Sequence, residues 1–192
     1  AIVMAPSNDL NHTANDIVEN PGDGYYCTGT VSEINGSDTT ADILLFKLNT
    51  SGVVQWIKSY GAIGDHEEGY SIELLPTNEL LITGTTDASS TGLDAGDAFM
   101  MKTDLSGNII WSRAYNIGIE DISNNGYLMS DGNFCSVGWT IAAAFPLTIS
   151  AYVVKANSST GAVMFAERFN VGIGNILGEG QETSDGGLVG AG

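Results

Sequence analysis

The densest gathering of groups able to bind a cation or move a proton is Gly64-Asp65-His66-Glu67-Glu68-Gly69. Oxygen ligands at such close spacing suit calcium, so Asp65, Glu67 and Glu68 are the metal candidates, although the full Asp-x-Asp-x-Asp-Gly spacing of a dedicated calcium loop is absent. Asp42 and Asp97 stand at matching places in two related stretches and invite a metal or catalytic role. An aspartate that opens a strand is also well suited to bonding nearby turn amides, and that is the simpler reading. His12 and His66 are expected in corresponding loops, as solvated side chains rather than as a catalytic pair. The sequence contains no Gly-x-Ser-x-Gly elbow, phosphate loop or histidine metal pair. Trp56 and Trp111 would make a sugar-stacking platform if exposed, but their repetition inside apolar runs points to packing. Cys27 and Cys135 lie far apart in the chain and read as two buried free thiols.

These groups are held by a repeat of about 54 residues. Ile43-Leu44-Leu45-Phe46-Lys47 recurs as Ala98-Phe99-Met100-Met101-Lys102 and as Ala151-Tyr152-Val153-Val154-Lys155. Each is followed by a polar turn ending in Gly52, Gly107 or Gly161, and then by a second apolar run carrying Trp56, Trp111 or Phe165. Upstream, Tyr25-Tyr26-Cys27-Thr28-Gly29 aligns with Leu80 to Gly84, Phe134 to Gly138 and Leu188 to Gly192, and a turn precedes each. The unit is therefore four short segments, rich in Ile, Val, Tyr, Phe and Trp and bounded by Gly, Asn, Asp and Ser, which is strand and hairpin chemistry. No helix is expected. The third segment is apolar at consecutive positions, so both of its faces must be covered, as happens when small sheets stack. One unit buries too little surface to stand alone and must lean on its neighbours. The six Lys and Arg residues obey the period as well, with Lys47, Lys102 and Lys155 closing the third segment and Lys58, Arg113 and Arg168 late in the fourth. Such regularity marks structural or solvated residues rather than a catalytic cluster.

Aligned in this way, Asp97 to Tyr115 and Thr183-Ser184-Asp185-Gly186-Gly187 resemble the repeats of a family of secreted bacterial β-propeller proteins. The resemblance implies a four-stranded blade with an aspartate opening its third strand, a lysine closing it, a Gly turn and a Trp in the fourth strand. The third copy departs from that pattern, with Ser150 for the aspartate and Phe165 for the tryptophan. The expected fold class is thus all-β, a β-propeller of four-stranded antiparallel blades in an incomplete ring. The expected boundaries are the last strand of a preceding blade at 1–5, blades at 6–60, 61–115 and 116–169, and the first two strands of a further blade at 170–192.

A net charge of −17 makes nucleic acid a poor partner, because the phosphates would repel the chain. No apolar run reaches the roughly 18 residues that insertion as a helix requires. Long connections are expected at Val31 to Ala41, Thr85 to Gly96 and Trp139 to Ile149, and acidic residues gather in or beside such connections at Asp38, Asp87, Asp94, Glu120 and Asp121. The expected function is a non-catalytic binding or structural module, extracellular or displayed at a cell surface, whose ligand, a protein or a glycan, sits on this acidic face. The alternative is a glycan-active hydrolase or lyase that uses paired acidic loop residues. Beyond calcium no cofactor is expected, and the ring is expected to continue in a longer chain or to be completed by another subunit.

Overall fold

The computed structural model describes residues 10–35, 38–61, 65–87, 96–144, 147–170 and 174–192. Among them every regular element is a strand. Strands β1 (Leu10–Asn20), β2 (Gly24–Asn35), β3 (Asp38–Leu48) and β4 (Val54–Tyr60) form one antiparallel sheet in sequence order. The second contains β5 (Glu67–Leu75), β6 (Glu79–Thr86), β7 (Asp97–Asp104) and β8 (Ile109–Tyr115). The third contains β9 (Asp121–Leu128), β10 (Phe134–Ala144), β11 (Leu147–Ala156) and β12 (Val163–Phe169). A final pair, β13 (Glu179–Glu182) and β14 (Leu188–Ala191), stands beside the third sheet. Residues 1–5, expected to be a last strand, lie outside the described residues.

The third strand of each full sheet is buried on both faces: Ile43 to Phe46, Ala98 to Met101 and Ala151 to Val154 are all core residues. Alternate residues feed different cores. Tyr26, Ile43 and Leu45 of the first sheet pack against Ile72, Leu80, Ile82 and Met101 of the second. On the opposite face of the second sheet, Leu81, Met100, Trp111 and Tyr115 meet Phe134, Tyr152 and Val154 of the third. Each such side chain gains about 1.5–3 kcal/mol from leaving water, so the two interfaces between sheets carry much of the stability.

The first strand of each four-stranded sheet contains a β-bulge at the same repeat position. The register skips Asn15 between Ala14 and Asp16, Tyr70 between Gly69 and Ser71, and Asn124 between Ser123 and Asn125. An extra residue bends the strand and re-aims its side chain. Opposite the bulges stand Gly29, Gly84 and Gly138, where a Cβ would overlap the carbonyl oxygens of Thr13, Glu68 and Ile122. Gly192 meets the carbonyl of Ile176 in the same way. In the three four-stranded sheets the glycine that ends the second segment is thus required by the bulge facing it.

The lysines that close the third strands pair with carboxylates at the preceding hairpin turn. Lys47 reaches Asp23 at 2.6 Å, Lys102 reaches Glu79 at 2.8 Å and Lys155 reaches Asp131 at 2.5 Å.

Two of the expected long connections are strand instead. β2 and β3 run on as a hairpin out to the pair Asn35 and Asp38, and β10 and β11 run on to Ala144 and Leu147. The β-branched content of these stretches, including Val31, Ile34, Thr39, Thr40, Thr140, Ile141, Thr148 and Ile149, favours continued pairing over an open loop. Of the connection between Thr85 and Gly96, residues 88–95, including Asp94, lie outside the described residues. Strands of 11 and 12 residues consequently exceed the lengths suggested by the repeated segments alone.

Candidate functional site

The acidic residues singled out in the sequence lie mostly where one sheet hands over to the next, and most of those described are engaged locally. The Glu68 carboxylate takes the His66 Nε2 contact on one oxygen, at 2.9 Å, and the Tyr70 hydroxyl on the other. Burial, then the neighbouring Glu68, pushes the Tyr70 hydroxyl well above its ordinary pKa. Glu67 is buried and lies near Asp42 across Gly61, where an added Cβ would approach both carboxylates. At the equivalent place in the following sheet, Asp121 is also buried, and its Oδ2 accepts the amides of Ile117 at 2.7 Å and Gly118 at 3.1 Å. Asp97 accepts the Asn116 carboxamide at 2.9 Å. Asp87 and Glu120 are held through their backbones: the amide of Asp87 donates to the His66 carbonyl at 2.7 Å, and the main-chain carbonyl of Glu120 accepts the Ile141 amide at 2.8 Å. Asp38 sits at the tip of the first extended hairpin. Asp65 immediately precedes the bridge that joins Ala41 to His66. Among the described residues, no three His, Cys, Asp or Glu side chains converge as a metal-ion set.

His12 lies within β1 rather than in a loop. The repeat aligned it with His66, but the first strand begins earlier in the first sheet because its partner β2 is longer. Trp56 packs, partly buried, in the core between the first two sheets, with its ring 6.1 Å from that of Tyr26. Trp111 is buried and donates its indole N–H to the Ser158 carbonyl at 3.1 Å. Both tryptophans are therefore packing residues. Cys27 and Cys135 are free and buried, and burial pushes the Cys27 thiol up to about 11.

An open, polar concavity lies elsewhere, along the first strands. The contacts of β1 with β5, of β5 with β9 and of β9 with β13 bring these strands side by side. Between them is a groove of about 440 Å³, lined among others by Asp16, Ser71, Glu73, Asn125, Glu179 and Gln181. Polar side chains in its lining and on the bulges beside it tie one sheet to the next. Asn15 donates to the Gly69 carbonyl and Asn124 to the Leu177 carbonyl, each at 2.7 Å, so both bulged asparagines make the same contact. Asp16 Oδ2 accepts the Ile72 amide at 2.8 Å, and Glu73 Oε2 accepts the Leu128 amide at 2.6 Å. Glu182 accepts from the Ser130 amide and hydroxyl at 2.6 and 2.9 Å. Burial raises the Glu73 carboxyl above its ordinary value, and the Leu128 amide opposes that rise. Glu179 and Gln181 add a carboxylate and a carboxamide at the β13 side of the groove.

Sequence reasoning missed this groove because its carboxylates do not recur in every copy: Asp16 and Glu179 share a repeat position, but the copies between them carry Ser71 and Asn125, and Glu73 matches Val18. The recurrence of Asn15 at Asn124 was the available signal. No protein-family model matches the chain, and a search of curated proteins finds no match either.

Proposed function

We propose that the chain is a run of β-propeller blades, exported or displayed at a cell surface, acting as a non-catalytic binding and structural module. The blade reading is supported by the recurrence of one set of contacts from sheet to sheet: a bulged asparagine on a neighbouring carbonyl, a first-strand carboxylate on a neighbouring amide, and a fourth-strand tyrosine on the next turn. Those contacts set the first strands side by side, as blade packing around an axis requires. The acidic net charge fits an exposed, solvated protein.

The observation that carries the binding role is the groove of about 440 Å³ that crosses the first strands. Its volume falls within the range of small-ligand clefts, and its oxygen-rich lining suits the hydroxyls of a glycan. Asp16, Glu73 and Glu182 hold backbone amides in place, a positioning role that favours recognition over proton transfer. A panel of glycans screened for both binding and cleavage tests the reading. Saturable binding without turnover, weakened by Glu179→Ala together with Gln181→Ala, is the expected result. Turnover of a bound glycan would overturn it in favour of the hydrolase or lyase alternative, and the absence of binding across the panel would remove the glycan role. For the calcium candidates Asp65, Glu67 and Glu68, thermal melts with millimolar calcium and with chelator are the check: a calcium-dependent shift abolished by Asp65→Asn supports a site, and superimposable curves reject it.

A further inference from the structure

The third sheet presents an apolar face that β13 and β14 cover only in part. Phe165 and Phe169 on β12 are 46% and 42% exposed, whereas Trp111 and Tyr115, at the same places on β8, are 8% and 5% exposed. Leu188 and Val189 on β14 are 40% and 55% exposed, although their counterparts Leu80 and Leu81 are fully buried. Between β12 and β14 runs a groove of about 230 Å³ lined by Val137, Val153, Phe165, Phe169, Leu177 and Leu188, among others. An open apolar cleft beside a strand edge marks an interaction surface.

The molecule contains two filled versions of this groove. In the first, the hairpin of β7 and β8 sets Gly107 against Trp56 and Tyr60, with the Tyr60 hydroxyl donating to the Gly107 carbonyl at 2.6 Å. In the second, the hairpin of β11 and β12 sets Gly161 against Trp111 and Arg113, and the Tyr115 hydroxyl donates to the Gly161 carbonyl at 2.8 Å. Each of these hairpins adds antiparallel to its second strand, β6 or β10. Each also brings a lysine to a turn carboxylate, Lys102 to Glu79 and Lys155 to Asp131. At the open groove β14 pairs, among the described residues, with β13 alone. Asp185 occupies the repeat position of Asp131, is exposed, and accepts from the Thr183 hydroxyl and the Gly187 amide rather than from a lysine. A strand edge, an apolar seat and a carboxylate therefore stand at the spacing that a repeat hairpin fills elsewhere in the same molecule.

We propose that this face docks a β-hairpin of the same repeat type, with a first strand apolar at consecutive positions and closed by lysine, a glycine turn, and an aromatic in its second strand. The first strand adds to β14, its lysine reaches Asp185, and its glycine turn rests on Phe165 and Phe169. Phe169 has no hydroxyl to offer the turn carbonyl, so this seat relies on apolar contact where the two internal ones add a hydrogen bond. The surface is separate from the first-strand groove, and glycan binding there neither supports nor weakens it.

The probe is a capped, fluorophore-labelled peptide of residues 96–116, the chain's own second hairpin, titrated into the whole chain by fluorescence anisotropy. The expected result is saturable one-to-one binding that slows amide hydrogen exchange at Leu188–Ala191. Asp185→Lys is expected to weaken binding about two- to fivefold, the range of an exposed ion pair, and a peptide carrying Lys102→Asp is expected to recover it. Phe165→Ser tests the apolar seat without altering the β14 edge, and it too must weaken binding. Absence of binding, equal binding of a scrambled peptide, or failure of the charge swap to restore affinity overturns the proposal. Self-association of the chain that protects the same amides and is not reversed by the peptide also overturns it, by assigning the face to a second copy.

Discussion

Three glycines at one repeat position isolate the contact between sheets from the local demands of the turn. Gly52, Gly107 and Gly161 close the third-to-fourth-strand hairpins with φ of 77°, 73° and 69°, a left-handed conformation that L side chains adopt at a cost. Alanine at any of the three carries that backbone penalty, about 1–2 kcal/mol, partly offset by the smaller conformational freedom of the unfolded alanine chain. Their surroundings differ. An added Cβ at Gly52 meets no atom within 4 Å, at Gly107 it comes within 2.7 Å of the Tyr60 hydroxyl, and at Gly161 it comes within 2.8 Å of the Trp111 ring. The Trp111 ring is buried and anchored through its indole N–H, so it yields least. Overpacking of this kind costs about 1–3 kcal/mol beyond the backbone term. Urea denaturation should therefore rank Gly161→Ala as most destabilising, then Gly107→Ala, then Gly52→Ala. The first and last should differ by about 1–3 kcal/mol, or roughly 2–12 °C in Tm for a chain of this size. Equal losses at all three positions would refute the seating of each turn on the preceding sheet as a stabilising contact, and with it the physical basis of the docking proposal.

Replacing Asn124 with alanine removes the hydrogen bond to the Leu177 carbonyl and should cost about 0.5–1.5 kcal/mol, read by urea melts, with faster hydrogen exchange in β13 and β14. Glu73 has a pKa raised by burial, so the native state keeps a proton that the unfolded chain has lost, and its contribution is greatest below the ordinary value of 4.5 and declines as pH rises through the raised value. Glu73→Gln retains an acceptor for the Leu128 amide and should flatten that decline in urea melts taken between about pH 4 and pH 8; an unchanged slope would count against it. Asp131 behaves in the opposite sense: the Lys155 hydrogen bond holds its carboxyl down to about 2, so the stabilisation is present above the ordinary 3.8 and is lost as pH falls through about 2. Carboxyl NMR titration of Lys155→Met should show the Asp131 pKa moving up toward that ordinary value.

The amino-acid sequence alone determined the antiparallel strand content, the four-segment unit and the double-sided burial of the third strand. Each of these follows from side-chain type and spacing along a pleated chain, and Ile43 to Phe46 are apolar at every position because both faces are covered. It also contained the signal for the bulge, since the glycine ending each second segment answers a carbonyl pressed against it. Tertiary structure decided where the polar chemistry lies. Asp65 to Gly69 looked like the richest site in one dimension, yet Glu68 is engaged by His66 and Tyr70, while Asp16, Glu73 and Glu179, far apart in sequence, line one groove. The long connections read from Val31 to Ala41 and from Trp139 to Ile149 became paired strands for a related reason: whether a polar, β-branched stretch remains a loop depends on the strand beside it. Local spacing reports which face of a strand a residue occupies, but meetings between strands of different sheets depend on how the sheets stack, a relation absent from any single repeat.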